Sequence, residues 1–145
     1  TRALHYFASF DKDYVLNSCK ITFSKKHLKK ISLKKNKIKI KKLDSYLNII
    51  KPCFIKIDTE GFDLDVVLGG INMIEKFRPI LLIEFNEDII NKINKVLPNY
   101  KVFYYDFIKN KFFKLNTHKI NKNKINRHNK KNHFSYRNLY FIPNG

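Results

Sequence analysis

Glycine is scarce in this chain: four in 145 residues, at positions 61, 69, 70 and 145. A glycine-rich phosphate or nucleotide loop needs several glycines within a few residues, and the only paired ones, Gly69 and Gly70, lie inside a helical pattern. The two cysteines, Cys19 and Cys53, are too few for a disulfide framework or a cysteine-built zinc site, and Cys53 sits in an apolar run where a buried thiol is expected. No apolar stretch is long enough to span a bilayer, and no apolar segment of signal-peptide type follows the N-terminus, so a reduced, cytoplasmic setting is the default. A serine nucleophile elbow is absent too. The five histidines, at 5, 27, 118, 128 and 133, show no metal-ligand spacing and read as solvated.

Arginine and acid are also in short supply. Of the 30 basic residues 26 are lysine, against 12 acids, for a formal charge of +18. Lys, Asn and Ile together fill 62 of the 145 positions, and all three use A/T-heavy codons. Solvated lysine faces are therefore the first reading of the charge; a polyanion-binding surface, where bidentate arginine would be more abundant, is the second. Residues 44–88 hold nine of the acids and a net charge of −5, while the flanks carry +11 and +12. Centre and flanks thus have different jobs.

Residues 1–35 show no sustained period. Ile38 and Ile40 alternate with lysines as in a half-exposed strand, and Leu43, Leu47 and Ile50 then recur at helical spacing up to Pro52. "CFIKI" (53–57) reads as a strand. From Asp63 the spacing of Leu64, Val67, Leu68, Ile71, Ile74 and Phe77 predicts an amphipathic helix, with Gly69 and Gly70 marking close packing against a sheet. "RPILLIEF" (78–85) reads as a strand buried on both faces. Asn86 caps a helix with Ile89, Ile90, Ile93, Val96 and Leu97 on its face. "YKVFYYDF" (100–107) and "RNLYFIPNG" supply two further strands around a low-complexity basic stretch, 116–133, read as a flexible loop. Helices between strands imply parallel pairing in an α/β fold, and the last two strands, with no helix between them, pair antiparallel.

In an open parallel sheet ligands gather at the carboxyl ends of the strands. Asp58, Thr59 and Glu60 stand at that end of the first apolar strand, and Glu84 with Asn86 at that end of the second. Three carboxylates on one rim could hold a hard cation, supply a general base toward a substrate hydroxyl, or leave Glu60 to cap the following helix. Asp63 and Asp65, in the first helical turn, read as solvated acids that favour the helix dipole.

"KKLDSYL", "IKIDTEGFDLDVVLGG" and "RPILLIEFN" together resemble the C-terminal half of the FkbM-type methyltransferases, clearly over about residues 38–86 and more weakly to the end. The likeness rests on Leu43 and Asp44; on Lys56, Ile57, Asp58, Glu60 and Gly61; on Val67 and Gly70; and on Arg78, Pro79 and Glu84. It implies S-adenosylmethionine as cofactor and O-methylation of a hydroxyl on a sugar, glycan or secondary metabolite as the activity. It also implies a Rossmann-like, class I methyltransferase sheet, in which 54–58, 78–85, 100–107 and the last strand resemble strands four to seven. On that template Asp58, Glu60 and Glu84 are the catalytic candidates, and Thr59, Gly61 and Asn86 the substrate-binding ones. Asp58 or Glu84 would orient or deprotonate the acceptor hydroxyl, and Glu60 would anchor the loop. The glycine-rich donor loop of such enzymes is not in this sequence, so the donor-binding residues stay unassigned and no metal is required. The 145 residues thus read as a single partial domain, a truncated product or a fragment, with weak or no donor binding of its own. The alternatives are a basic nucleic-acid-binding or metal-dependent nuclease-like protein, using Asp58, Glu60 and Glu84 as ligands, or an inactive remnant.

Overall fold

The computed structural model describes residue 9 and residues 11–106, 109–115 and 138–145; the 116–133 stretch lies outside the described residues. The chain forms two compact units, Thr1–Ile40 and Lys41–Gly145.

In the first unit, α1 (Lys12–Thr22) starts at Asp11, whose side chain accepts from the backbone N–H groups of Asp13 and Tyr14. That satisfies two of the first-turn donors that a helix leaves unpaired. Val15 and Cys19, one turn apart, are its buried residues. A single turn, α2 (Lys25–Leu28), follows, and residues 31–40 adopt no regular element. The strand expected at Ile38 and Ile40 is therefore not formed: none of the described strands pairs with it, and a strand without a ladder partner has nowhere to place its backbone hydrogen bonds.

The second unit opens with a single 3-10 turn, Leu43–Tyr46, shorter than the helix expected from Leu43, Leu47 and Ile50. Of that face Leu43 and Leu47 are half-buried and Ile50 is 43% exposed, so its last residue has little to bury against. Among the described residues five strands then form one sheet: β1 (Phe54–Ile57), β2 (Ile80–Glu84), β3 (Tyr100–Asp106), β4 (Lys111–Lys114) and β5 (Asn138–Pro143), in the order β1-β2-β5-β3-β4. Among the described strands only β1 and β2 pair parallel; β5 runs antiparallel to both β2 and β3. The expectation of helices between neighbouring parallel strands is thus met for β1 and β2 alone. β5 inserts between β2 and β3, its Leu139 and Phe141 fully buried, while the antiparallel pairing of the last two long strands appears as expected. β4 was not foreseen. It is joined to β3 by a turn in which buried Asp106 accepts from the Lys109 N–H and Asn110 takes a left-handed conformation, φ 51°.

α3 (Asp63–Leu68), α4 (Ile71–Phe77) and α5 (Glu87–Val96) all contribute to one core. Val67, Ile74, Ile90 and Ile93 join Ile57, Leu81, Ile83, Val102, Leu139 and Phe141 there. Strand alternation sends Ile80 and Leu82 to the other face, where each is half-buried, so β2 is fully buried on one face and partly on the other. The helix expected to run from Asp63 to Phe77 breaks at Gly69 and Gly70, and the partner of those glycines is not the sheet. A Cβ on Gly70 would lie 2.7 Å from Leu43 Cδ2. Cys53 is exposed, against expectation, and Cys19 is the buried thiol, because Cys53 precedes β1 instead of lying in it. Among the described residues no helix is long and apolar enough to cross a membrane.

Candidate functional site

The parallel register sets Ile57 beside Ile83. The next residues, Asp58 and Glu84, therefore leave the carboxyl ends of β1 and β2 at the same level. Alternation places Lys56 and Asp58 on the face opposite the helices, and since Lys56 is level with Leu82, Glu84 belongs to that face as well. Lys56 Nζ donates to Asp58 Oδ2 at 2.7 Å. The Lys56 pKa is raised, first by that hydrogen bond and by the Asp58 charge, with desolvation opposing and the charge of Glu84 adding least. Asp58 is thus the main partner of this ammonium, and the Glu84 charge adds to it from the adjacent strand. Both members of the ion pair are well exposed, 54% and 42%, so solvent screens it and its contribution is to geometry more than to stability.

Beyond Asp58 the chain must turn from strand to helix within four residues. It does so with Glu60 and Gly61 consecutively at positive φ, 52° and 105°, a conformation that glycine adopts freely and other residues at a cost. Asp63 closes the turn: its Oδ1 accepts from the Thr59 N–H at 2.9 Å and from the Thr59 hydroxyl at 2.7 Å. Asp63 is only 3% exposed. It is a buried fastening of the loop, not the solvated acid expected, while Asp65 is exposed as expected.

Of the residues proposed from sequence, Asp58 and Glu84 end adjacent parallel strands at one level, and Asp58 pairs with Lys56. Glu60 is half-buried in the turn two residues further on. The Thr59 hydroxyl is engaged by Asp63, and Gly61 supplies the second left-handed step. Asn86 is exposed and caps α5, its Oδ1 accepting from the Ile89 N–H. Among the described residues no three His, Cys, Asp or Glu side chains are grouped to hold a metal ion, so a metal-bound reading of Asp58, Glu60 and Glu84 has no ligand set here. Lys56 was given no role in the sequence reading, although its alternation with Asp58 along β1 carried the signal. Asp63 was misjudged because a buried acid and a solvated first-turn acid look alike in sequence.

The other residues of the resemblance serve the scaffold. Asp44 accepts at one carboxylate oxygen from the Asn72 N–H and Nδ2, and at the other from the Met73 N–H at 2.9 Å. It thereby caps α4 from 28 residues away in sequence. Arg78 ends α4 in a left-handed conformation, φ 50°, and its guanidinium donates to the Asn144 carbonyl. The Tyr100 hydroxyl donates to the Pro79 carbonyl at 3.0 Å. A cavity of about 500 Å³ lined by Glu75, Arg78, Asn99, Tyr100, Asn144 and Gly145 lies at this amino end of β2, not at the rim.

No glycine precedes Gly61 in the sequence, and the described rim offers carboxylates and one ammonium.

A mixed α/β sheet with paired carboxylates at its parallel strand ends is the setting in which the family comparison falls. The model of the methyltransferase FkbM domain matches residues 15–116, and the chain belongs to that family. The match begins upstream of residue 38, where the motifs become legible, and it ends before β5. No curated protein and no solved structure matches the chain significantly.

Proposed function

We propose that this chain supplies the acceptor-side rim of an S-adenosylmethionine-dependent O-methyltransferase acting on a hydroxyl of a sugar, glycan or secondary metabolite. Family membership supports methyl transfer. The order β1-β2-β5-β3, with β5 antiparallel, is compatible with strands four, five, seven and six of a Rossmann-like sheet. The observation that carries the reading is the parallel register that sets Asp58 level with Glu84 at the carboxyl ends of β1 and β2.

S-adenosylmethionine, when bound, supplies an activated methyl group on a sulfonium carbon. Its transfer is an in-line displacement, for which a protein contributes mainly alignment. A hydroxyl acceptor must also lose its proton. Asp58, held by Lys56, is the base placed to take it, and Glu84 on the next strand orients the hydroxyl. Thr59, Gly61 and Asn86 border the acceptor, and Glu60 anchors the turn. Lys56, kept charged, is no base. It fixes the direction of the Asp58 carboxylate and offsets the mutual repulsion of two acids. The methionine and ribose of the donor are then held by residues outside these 145.

Methyl transfer from labelled donor to a panel of hydroxyl acceptors, using the protein extended upstream in its reading frame, tests the assignment. Asp58→Asn is expected to lower kcat about 10²- to 10⁴-fold, the usual worth of a general base, and Glu84→Gln to raise KM as well. Variants that transfer at the parent rate would remove both residues from the site.

A further inference from the structure

Residues 14–40 carry nine lysines, no arginine and no acid. Every residue from Ser24 to Ile40 is exposed or half-exposed. Lysines alone on such a segment need no partner, because water solvates them. The aliphatic side chains between them are different: Leu33, Ile38 and Ile40 are 43%, 64% and 70% exposed, and Ile21, at the end of α1, is 88% exposed. Four branched aliphatics held in water within one polybasic stretch of 20 residues combine the two signals that peripheral membrane binding requires, charge attraction and apolar insertion.

We propose that residues 21–40 bind the surface of an anionic bilayer. The lysines lie against the headgroups and Ile21, Leu33, Ile38 and Ile40 enter the boundary with the acyl chains. The composition favours lipid over nucleic acid. Lysine is a point charge that satisfies a diffuse anionic surface, whereas phosphate recognition on nucleic acid favours the bidentate arginine that this segment does not contain. Aromatic residues on which bases could stack are also few there, Phe23 and His27 alone between Ile21 and Ile40. Contact is peripheral, since no described helix can cross the membrane.

Co-sedimentation of the full chain with vesicles decides it. Binding is expected to phosphatidylcholine vesicles containing phosphatidylserine and not to phosphatidylcholine alone. Affinity should fall at least tenfold as salt rises from about 0.1 M to about 1 M, over which the screening length drops from roughly 10 Å to 3 Å. The double variant Ile38→Ser, Ile40→Ser should weaken binding roughly tenfold or more at constant charge. Lys34→Gln, Lys35→Gln, Lys37→Gln, Lys39→Gln should weaken it at constant apolarity. These positions lie outside regular structure, and an unchanged circular dichroism spectrum shows that each variant is folded. No binding to the anionic vesicles, equal binding to phosphatidylcholine alone, or an isoleucine variant that binds like the parent would each overturn the proposal. Tighter binding of a single-stranded RNA oligonucleotide than of anionic vesicles, unaffected by the isoleucine variant, would assign the segment to nucleic acid instead.

Discussion

Asp63 joins the end of β1 to the start of α3 through two hydrogen bonds to one threonine. Replacing it with alanine leaves the half-buried Thr59 N–H and hydroxyl without their acceptor, and Asp63→Ala is expected to cost about 1–3 kcal/mol in urea unfolding. Tyr100 gives a residue-scale test of pH dependence. Burial raises its hydroxyl above the ordinary 10.0, partly opposed by the charge of Arg78. As pH climbs past 10.0 the unfolded chain gives up this proton before the native state does, so the unfolded state binds fewer protons and native stability falls. Lys56, raised above 10.5 by Asp58, acts in the same direction: its contribution is complete below 10.5 and is lost as pH rises through the shifted value. Tyr100→Phe removes the tyrosine component. The variant should lose about 1 kcal/mol near neutrality, for the bond to Pro79, and show a shallower alkaline decline in urea midpoint from about pH 9 to about pH 11. An unchanged decline would mean that Tyr100 ionises as freely in the native state as in the unfolded one.

The Leu43–Asp44 pair and the Gly69–Gly70 break form one device at the scale of elements. Leu43 occupies the space where a side chain on Gly70 would stand, and Asp44 caps α4 beside it; the Asp44 N–H also donates to the Gly69 carbonyl. Gly70→Ala should cost about 1–3 kcal/mol, as overpacking does, and Leu43→Ala should recover part of that loss. A double-mutant cycle with no coupling would show that the two residues do not share the space. Elements with a strong period were legible in the sequence: β1, β2, α5 and β3 lie where alternation or a broad apolar stripe put them. Elements whose form depends on partners were not. α1 buries only Val15 and Cys19, too thin a stripe to read. β4 is a four-residue "KFFK" segment that becomes a strand because β3 lies beside it, its Phe113 stacked on Tyr104 with centroids 5.5 Å apart. The 38–40 alternation failed for the converse reason, a strand pattern with no strand to pair with.

Across the whole molecule, charge divides by position. The acids of residues 44–88 cap α4, fasten the β1–α3 turn and meet at the rim, while the lysines dominate the flanks. The position of Asp58 and Glu84 at the carboxyl ends of β1 and β2 was legible because each directly follows or ends an apolar strand run. That they stand level was not, since it depends on the register between strands. The family match covers residues 15–116 and so spans both units. The most direct test is calorimetric titration of S-adenosylmethionine into this chain and into the protein extended upstream in its reading frame. Saturable one-to-one binding to the extended protein, with weak or undetectable heat from the 145 residues alone, is the expected result. Absence of binding by both would contradict a methyltransferase role.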